Sequence, residues 1–229
     1  MHAVVFDVGG TLLELAVTPL DIYCSIFGTR GISIGAGELN GLLASTKARL
    51  DSMSQDIGDA SNAESTHMSF NMMLLEALGM PCGRDDAHEL SREFADRIEF
   101  CPFPETDSVL RQLSGHFTLG IISNWNLTES LDSVLEYHGL LHYFDYTLAS
   151  KDSMWEKPNP SIYTYALEKM SARPSDAYYV GDSYIEDVVG PLAVGMTPIF
   201  VNRRHAYCPE HVKSCGDLTG ITEILLCGG

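Results

Sequence analysis

The first thirteen residues constrain the fold more than any other stretch of this 229-residue chain. Residues 3–6 form the apolar run Ala-Val-Val-Phe, which is followed by Asp7, the pair Gly9 and Gly10, and Thr11. A short β-branched and aromatic run that ends in a carboxylate is typical of a buried parallel strand, which delivers that carboxylate to the edge of a sheet. The glycine pair permits a tight turn with exposed backbone N–H groups. A carboxylate beside such amides suits a divalent cation, a phosphoryl group or both.

The composition indicates a folded protein that binds neither nucleic acid nor membranes. Hydrophobic residues make up 45% of the chain, and no apolar run is long enough to cross a bilayer. A net charge of −17 repels nucleic acid and anionic membranes. No basic and apolar leader precedes the first strand, and six cysteines are scattered without a compact framework. We therefore expect a cytoplasmic protein with reduced thiols.

The stretch after the first strand predicts a helical domain. Thr18, Pro19 and Asp21 form a helix start, with a hydroxyl cap, a proline at the first helical position and a carboxylate in the first turn. Apolar residues at helical spacing then predict four helices with no strand among them. The predicted helices cover residues 19 to about 28–31, 37–53, 63–78 and 85–99, with a polar break at 54–62.

Strands and helices alternate from residue 101 onward. We predict strands at residues 117–122, 143–149, 177–180 and 197–201, each separated from the next by a helix. This alternation predicts an α/β fold with a Rossmann-like parallel sheet and right-handed crossovers. The core domain then comprises residues 1–15 and 100–229, and the helical block, residues 16–99, is inserted into it as a cap domain. Pro191 falls inside a predicted helix and should kink or restart it.

Polar residues follow three predicted strands at one edge of the sheet. They are Asp7, the pair Ser123 and Asn124, and Asp182, and Asp187 follows about a turn and a half after Asp182. Carboxylates crowded together repel one another, and a hard cation with oxygen ligands relieves this; Mg²⁺ is the common choice at phosphoryl-transfer sites. Ser123 and Asn124 can donate hydrogen bonds to phosphoryl oxygens. Lys157, which lies just before a helix, can hold both Asp7 and the charge that develops during reaction.

Four motifs in order give the chain a specific resemblance. They are Asp-Val-Gly-Gly-Thr at residues 7–11, Ser-Asn-Trp at 123–125, Lys-Pro-Asn-Pro at 157–160 and Gly-Asp-Ser-Tyr-Ile-Glu-Asp at 181–187. The first motif alone is also similar to the phosphate loop of actin-like ATPases, but those lack the other three. The set resembles motifs I to IV of the haloacid dehalogenase superfamily, including the position at which that family inserts a helical cap of its first type.

The resemblance implies a role for each matched residue. Asp7 would be the nucleophile that forms an aspartyl-phosphate intermediate, and Lys157 would shield its charge. Ser123 and Lys157 would bind the phosphoryl group, and we add Gly10, Thr11 and Asn124 to the substrate-binding residues. Mg²⁺ would be held by four residues: Asp7, the carbonyl of Gly9, Asp182 and Asp187. The implied function is a magnesium-dependent, phosphatase-type hydrolase that acts on a small phosphorylated metabolite.

Gly9 departs from the family pattern, because phosphatases of this type carry a second aspartate there that transfers a proton. Loss of positioned acid–base help typically costs about 10²- to 10⁴-fold in rate. Three explanations of the glycine are open. The substrate has a leaving group that needs no proton, another residue such as Glu14 or His67 supplies the proton, or the protein binds phosphorylated ligands or a partner and turns over slowly. A related phosphonatase branch uses a cap lysine, for which Lys47 is the available residue.

Two further alternatives stay open. The chain can be a ligand- or partner-binding protein that kept the fold without the chemistry, or a dehalogenase or phosphonatase type of enzyme. Separately, four soft ligands near the C-terminus, His205, Cys208, His211 and Cys215, can bind zinc, although their spacing fits no familiar finger.

Overall fold

A computed structural model of the chain describes residues 2–56 and 63–227. The chain divides into two compact units, each of which is described below by itself. The core unit consists of Met1–Leu15 and Phe100–Gly229, and the helical unit is Ala16–Glu99. That the helical unit acts as a cap over a site in the core unit stays a prediction.

The helical unit contains four α-helices in the part of it that is described. They are α1 (Pro19–Thr29), α2 (Ala36–Asp56), α3 (Ala63–Ala77) and α4 (Arg84–Ala95). As the sequence predicts, Thr18 caps α1, since its hydroxyl oxygen accepts a hydrogen bond from the backbone N–H of Asp21 at 3.2 Å. Helix α2 runs three residues further than predicted, so the predicted break does not include residues 54–56. The rest of that break, residues 57–62, lies outside the described residues.

The core unit is built on a six-stranded parallel sheet. The described part of the chain contains eight strands: β1 (Ala3–Phe6), β2 (Leu13–Leu15), β3 (Phe100–Pro102), β4 (Thr118–Ser123), β5 (Tyr146–Ala149), β6 (Ala177–Gly181), β7 (Thr197–Val201) and β8 (Lys213–Cys215). The order in the sheet is β5-β4-β1-β6-β7-β8, and every neighbouring pair is parallel. The predicted α/β fold with a Rossmann-like parallel sheet is thus confirmed.

Helices cover both faces of this sheet. They are α5 (Thr106–Ser114), α6 (Leu131–Tyr137), α7 (Pro160–Lys169), α8 (Gly190–Val194) and α9 (Thr219–Thr222). Val4 and Phe6 of β1 pack in one apolar cluster with residues of α5, whereas Ala3 and Val5 pack in a second cluster with residues of α7. Alternate side chains of β1 therefore enter two different cores, which is why its sequence is apolar throughout.

Three features of the core unit differ from the predictions. The antiparallel pair of β2 and β3 was not predicted, nor was β8, whose first two residues are exposed. The strand predicted at residues 143–149 is shorter than expected, because residue 143 belongs to a 3₁₀ turn, Leu141–Tyr143, and β5 begins only at Tyr146. The predicted helix through residue 189 is a π-helical turn, Tyr184–Val189, and Pro191 lies in the first turn of a separate short helix, α8. Pro191 therefore restarts the helix, as predicted.

Within the described residues, no helix combines the length and the apolar character needed to cross a bilayer.

Candidate active site

The ends of three adjacent strands bring the predicted site residues together. Strand β1 lies between β4 and β6, and Phe6 at its end is in register with Ile121 and Val180. Asp7, Ser123 and Asp182 therefore meet at the same edge of the sheet, as expected for parallel strands. The π-helical turn after β6 carries Asp187 to this edge.

Lys157 lies at the centre of the site, although the chain places it in a loop. Its Nζ donates to Oδ1 of Asp7 at 2.8 Å and to Oδ1 of Asp187 at 2.7 Å. The Lys157 side chain is 1% exposed, and that of Asp7 is 10% exposed. Burial opposes the charge of the ammonium, but Asp187 and Asp7 outweigh it and hold the pKa of Lys157 well above its usual range. Lys157 is therefore a permanent cation between two carboxylates.

Three carboxylates form a cluster around this ammonium. Asp7, Asp182 and Asp187 each offer an oxygen atom, and these atoms all lie within 4.8 Å of one another. Burial and the charge of Asp7 raise the pKa of Asp182, and burial, opposed by Lys157, raises that of Asp187 to about 7. One ammonium cannot balance three carboxylates, and the charge that remains matches a divalent cation. The donor set consists of hard oxygen atoms, which fits Mg²⁺.

Gly10 allows Asp182 to approach the loop after β1. A Cβ atom at Gly10 would press against the carboxylate of Asp182, and the Gly10 φ of 82° lies in the left-handed region that favours glycine. A Cβ atom at Gly9, in contrast, meets no atom within 4 Å. The expectation that Gly10 offers a free N–H is wrong, because this N–H donates to the carbonyl of Leu13 at 2.7 Å. Glycine is needed at position 10 because it has no Cβ atom and tolerates a positive φ.

Asn124 contacts the backbone of Lys157 through both ends of its carboxamide. Its Nδ2 donates to the carbonyl of Lys157 at 3.0 Å, and its Oδ1 accepts from the N–H of Lys157 at 2.8 Å. The sequence predicts Asn124 as a donor to the substrate, but the geometry makes it a residue that positions Lys157. Thr11 and Ser123 are both buried at the strand edge, and the Thr11 hydroxyl donates weakly to Oδ2 of Asp7 at 3.4 Å.

Glu186 also lies at this edge, although sequence analysis missed it. Its Oε2 is 3.9 Å from Nζ of Lys157, and burial is the main cause that raises its pKa. Its position directly before Asp187 is the sequence signal that could have identified it.

A cavity of about 770 Å³, here called the strand-edge cavity, opens beside the cluster within the core unit. Gly9, Gly10, Glu14 and Asp182 line one part of it. Glu14 is thus in the same cavity as Gly9, which lacks the usual carboxylate. Two arginines directly after β7, Arg203 and Arg204, also line the cavity and were not singled out from the sequence.

The other proton donors considered from the sequence lie in the helical unit. His67 and Lys47 line a cavity of about 670 Å³ there, together with aromatic residues. Nδ1 of His67 lies 3.3 Å from Oγ of Ser91, and burial lowers the pKa of His67. These contacts are those of a half-buried histidine within a packed helical unit.

The soft ligands near the C-terminus do not form a cluster. Within residues 2–56 and 63–227, the carboxylates of Asp7, Asp182 and Asp187 are the one group of three or more candidate ligands that lie close together. Cys208 and Cys215 are free thiols whose sulfur atoms contact backbone carbonyls instead. The zinc alternative has no support in this geometry.

The fold and this edge together define an α/β protein with a carboxylate and lysine centre at the ends of its parallel strands. Residues 1–195 match the haloacid dehalogenase-like hydrolase family, and the chain belongs to that family. The predicted relationship is therefore confirmed.

Individual relatives agree with this assignment. The chain is 35% identical over 126 residues to glyceraldehyde 3-phosphate phosphatase from Methanothermobacter thermautotrophicus, a match that covers 54% of the chain and 55% of the relative. It therefore spans little more than half the length of that enzyme. It is 23% identical over 223 residues to haloacid dehalogenase-like hydrolase domain-containing protein 3 from Danio rerio. This match covers 91% of the chain and 90% of the relative. The crystal structure of YfnB from Bacillus subtilis bound to magnesium shares the fold, with a TM-score of 0.79, 17% identity and 98% coverage of both chains.

Proposed function

We propose that this chain is a magnesium-dependent phosphohydrolase that acts on a small phosphorylated metabolite through an aspartyl-phosphate on Asp7. The observation that carries the proposal is the buried ammonium of Lys157, which lies 2.8 Å from Asp7 and 2.7 Å from Asp187 beside a third carboxylate, Asp182. The similarity to an archaeal phosphatase supports the reaction class. A Gly-Asp pair at the end of β6 also supports phosphoryl transfer, because the resemblance implies that dehalogenases of the family lack it.

Residues at the strand edge would hold the ion. Asp7, Asp182 and the backbone carbonyl of Gly9 are the proposed ligands. Both oxygens of Asp187 already accept hydrogen bonds, from Lys157 at 2.7 Å and from the N–H of Ser183 at 2.8 Å. This favours contact of Asp187 with the ion through water. Bound Mg²⁺ would supply positive charge to the phosphoryl oxygens.

The side chains around Asp7 prepare it to act as a nucleophile. Lys157 fixes the orientation of the Asp7 carboxylate by donating a hydrogen bond to its Oδ1. The hydroxyl groups of Thr11 and Ser123, with the ammonium of Lys157, bind phosphoryl oxygens. In the first step an Asp7 oxygen attacks phosphorus, and the bond from phosphorus to the leaving oxygen breaks. In the second step water attacks phosphorus, and the bond to Asp7 breaks to release phosphate.

Glu14 is our candidate for the proton transfers that an aspartate at position 9 performs elsewhere. Its location in the strand-edge cavity with Gly9 and Asp182 supports this role. As a carboxylic acid it would protonate the leaving oxygen, and as a carboxylate it would take the proton of the attacking water. Glu14→Gln should lower kcat by about 10²-fold on alkyl phosphates. With p-nitrophenyl phosphate, whose leaving group needs no proton, release of p-nitrophenolate in the first turnover should be slowed much less than this.

A phosphatase screen with and without Mg²⁺ tests the proposed function. It should include alkyl, aryl and acyl phosphates and compare the wild type with Asp7→Asn. Turnover that needs Mg²⁺ and is lost in Asp7→Asn supports the enzyme. Binding of Mg²⁺ without turnover on any phosphate would instead support the ligand- or partner-binding alternative, which the glycine at position 9 favours. Halide release from haloacids, or cleavage of a phosphonate, would point to the dehalogenase or phosphonatase type.

A further inference from the structure

The strand-edge cavity has an apolar part and a cationic part beyond the carboxylate cluster. Phe100, Phe103, Tyr184 and Phe200 line the apolar part. Arg203 and Arg204 are the cations among the residues that line this cavity. The chain has a net charge of −17, yet two adjacent arginines lie beside the proposed phosphoryl site.

Arg203 holds the loop after β7 against the loop after β1 through its Nη2, whereas its buried Nε has no hydrogen-bond partner among the described residues. Its Nη2 donates to Oε1 of Glu105 at 2.7 Å and to the carbonyl of Thr11 at 3.1 Å. Its guanidinium also stacks on Phe103, with Cζ 3.5 Å from the ring centroid. Arg203 therefore has a structural task, to which its Nη2 is committed.

Arg204 lies in a turn that is stabilised by side-chain hydrogen bonds, and its own side chain makes no contact like those of Arg203. The side chain of Asn202 closes this turn, because its Nδ2 donates to the carbonyl of Ala206 at 2.8 Å and its Oδ1 accepts from the N–H of Ala206 at 2.7 Å. The backbone that carries Arg204 is thereby held in place. Its side chain is exposed, and across the described residues it makes no hydrogen bond or ion pair. A fixed backbone with an uncommitted guanidinium is suited to bind an anion.

Arg204 lines the same cavity as Asp182, which is one of the three carboxylates of the cluster. Glu14, which also lines the cavity, does not neutralise Arg204, since no ion pair within 4.0 Å joins them. The free cation is thus within the reach of a ligand bound at the carboxylate cluster.

We propose that Arg204 binds a second anionic group of the substrate. The preferred substrates would be small phosphate monoesters whose carbon skeleton also carries a carboxylate or a second phosphate. Planar guanidinium groups bind either anion through two hydrogen bonds, and the aromatic residues would contact the skeleton between the two groups. This inference rests on the proposed function, because it assumes that the first phosphate lies at Asp7.

Matched substrates test the proposal in the full chain with Mg²⁺. We would compare 3-phosphoglycerate with glycerol 3-phosphate for the carboxylate, and fructose 1,6-bisphosphate with fructose 6-phosphate for the second phosphate. The variants are Arg204→Gln and Arg204→Lys. Lys213→Gln is the control, because it removes an exposed cation of β8 that does not line the cavity. The quantity to report is the ratio of kcat/KM between the members of each pair.

We expect Arg204→Gln to lower at least one of these ratios by tenfold or more, mainly through KM. Arg204→Lys should retain part of the preference, and Lys213→Gln should retain all of it. The pair that responds identifies the second anion as a carboxylate or a phosphate. Ratios that change by less than twofold in an active Arg204→Gln variant would overturn the proposal.

A binding measurement keeps this outcome separate from failure of the proposed function. Phosphonoacetate and methylphosphonate are not phosphate esters, and only the first carries a carboxylate. With Mg²⁺ present, Arg204→Gln should weaken the binding of phosphonoacetate by tenfold or more and leave that of methylphosphonate nearly unchanged. A wild-type protein that binds phosphonoacetate through Arg204 but hydrolyses no phosphate contradicts the proposed function alone. Equal affinity of wild type and Arg204→Gln for phosphonoacetate, together with unchanged kinetic ratios, contradicts the present proposal.

Discussion

The ammonium of Lys157 lies 2.8 Å from Oδ1 of Asp7, although 150 residues separate them in the chain. The parallel order of β4, β1 and β6 brings the strand ends together, and Asn124 then holds the backbone of Lys157 from the neighbouring strand end. The contact is therefore a product of the whole sheet. Its charges lead to the first prediction.

Replacement of Lys157 by methionine should destabilise the protein and strengthen its response to Mg²⁺. Removal of one partner from a buried ion cluster leaves uncompensated charge and typically costs about 3–5 kcal/mol. Three carboxylates without the ammonium should gain more from a divalent cation than the wild-type site does. Unfolding in urea with and without Mg²⁺ measures both effects, with Lys213→Met as a surface control. An increase in stability with Mg²⁺ no larger than that of the wild type would contradict the charge argument.

Alanine at Gly10 should be far more harmful than alanine at Gly9. Alanine at position 10 would have to adopt the φ of 82° found at Gly10, which is unfavourable for any residue with a Cβ atom. Its Cβ atom would also collide with the carboxylate of Asp182. We expect a loss of about 1–3 kcal/mol in unfolding free energy from the backbone alone. Gly9→Ala meets no atom within 4 Å and should change stability by much less. Thermal unfolding of the two variants without metal checks the difference, and equal melting temperatures would count against it.

An aspartate at position 9 should compensate for the loss of Glu14. If Glu14 carries the protons, Glu14→Gln should be slow on alkyl phosphates, and the double variant Gly9→Asp/Glu14→Gln should recover about 10-fold or more in kcat. The Cβ atom of this side chain would meet no atom within 4 Å. Gly9→Asn/Glu14→Gln is the matched control, because asparagine has the same size but cannot transfer a proton. Equal rates for the two double variants would show that proton transfer does not limit turnover.

The stability of the helical unit should fall on acidification because of His67. Burial lowers the pKa of His67 in the folded protein below its usual 6.5. As pH decreases through that value, the unfolded chain binds a proton that the folded chain excludes, so stability present at neutral pH is progressively lost. His67→Gln should therefore reduce the slope of unfolding free energy against pH as the pH falls below the usual histidine pKa of about 6.5. His88→Gln, which alters an exposed residue of α4, should leave the slope unchanged. A slope that is the same in His67→Gln would contradict this assignment.

Long apolar runs made most of the fold predictable. The predicted strand at 197–201 has the same bounds as β7, and the start of α1 follows from Thr18 and Pro19. Strand β8 was missed because it is three residues long and its first two side chains are exposed, so it has no apolar signal. It belongs to the sheet through backbone pairing with β7.

The site was predictable in its residues but less so in its hydrogen bonds. Asp7, Lys157, Asp182 and Asp187 are identified by motif order, and their convergence follows from a parallel sheet. The N–H of Gly10 and the carboxamide of Asn124 were expected to face a ligand, but both are bonded to other parts of the chain. Such bonds depend on how two loops meet in space, which no local pattern encodes. Arg204 was not predicted as a site residue because its place beside the site also depends on how these loops meet, not on a local sequence pattern.

The open space at Gly9 also bears on how this lineage can change. Two of the four glycine codons become aspartate codons through one base substitution, and a Cβ atom at this position meets no atom within 4 Å. From either of those two codons, a conventional acid–base residue is one base substitution away. If glycine persists at this position in descendants, contact of a Cβ atom with its neighbours is not what retains it.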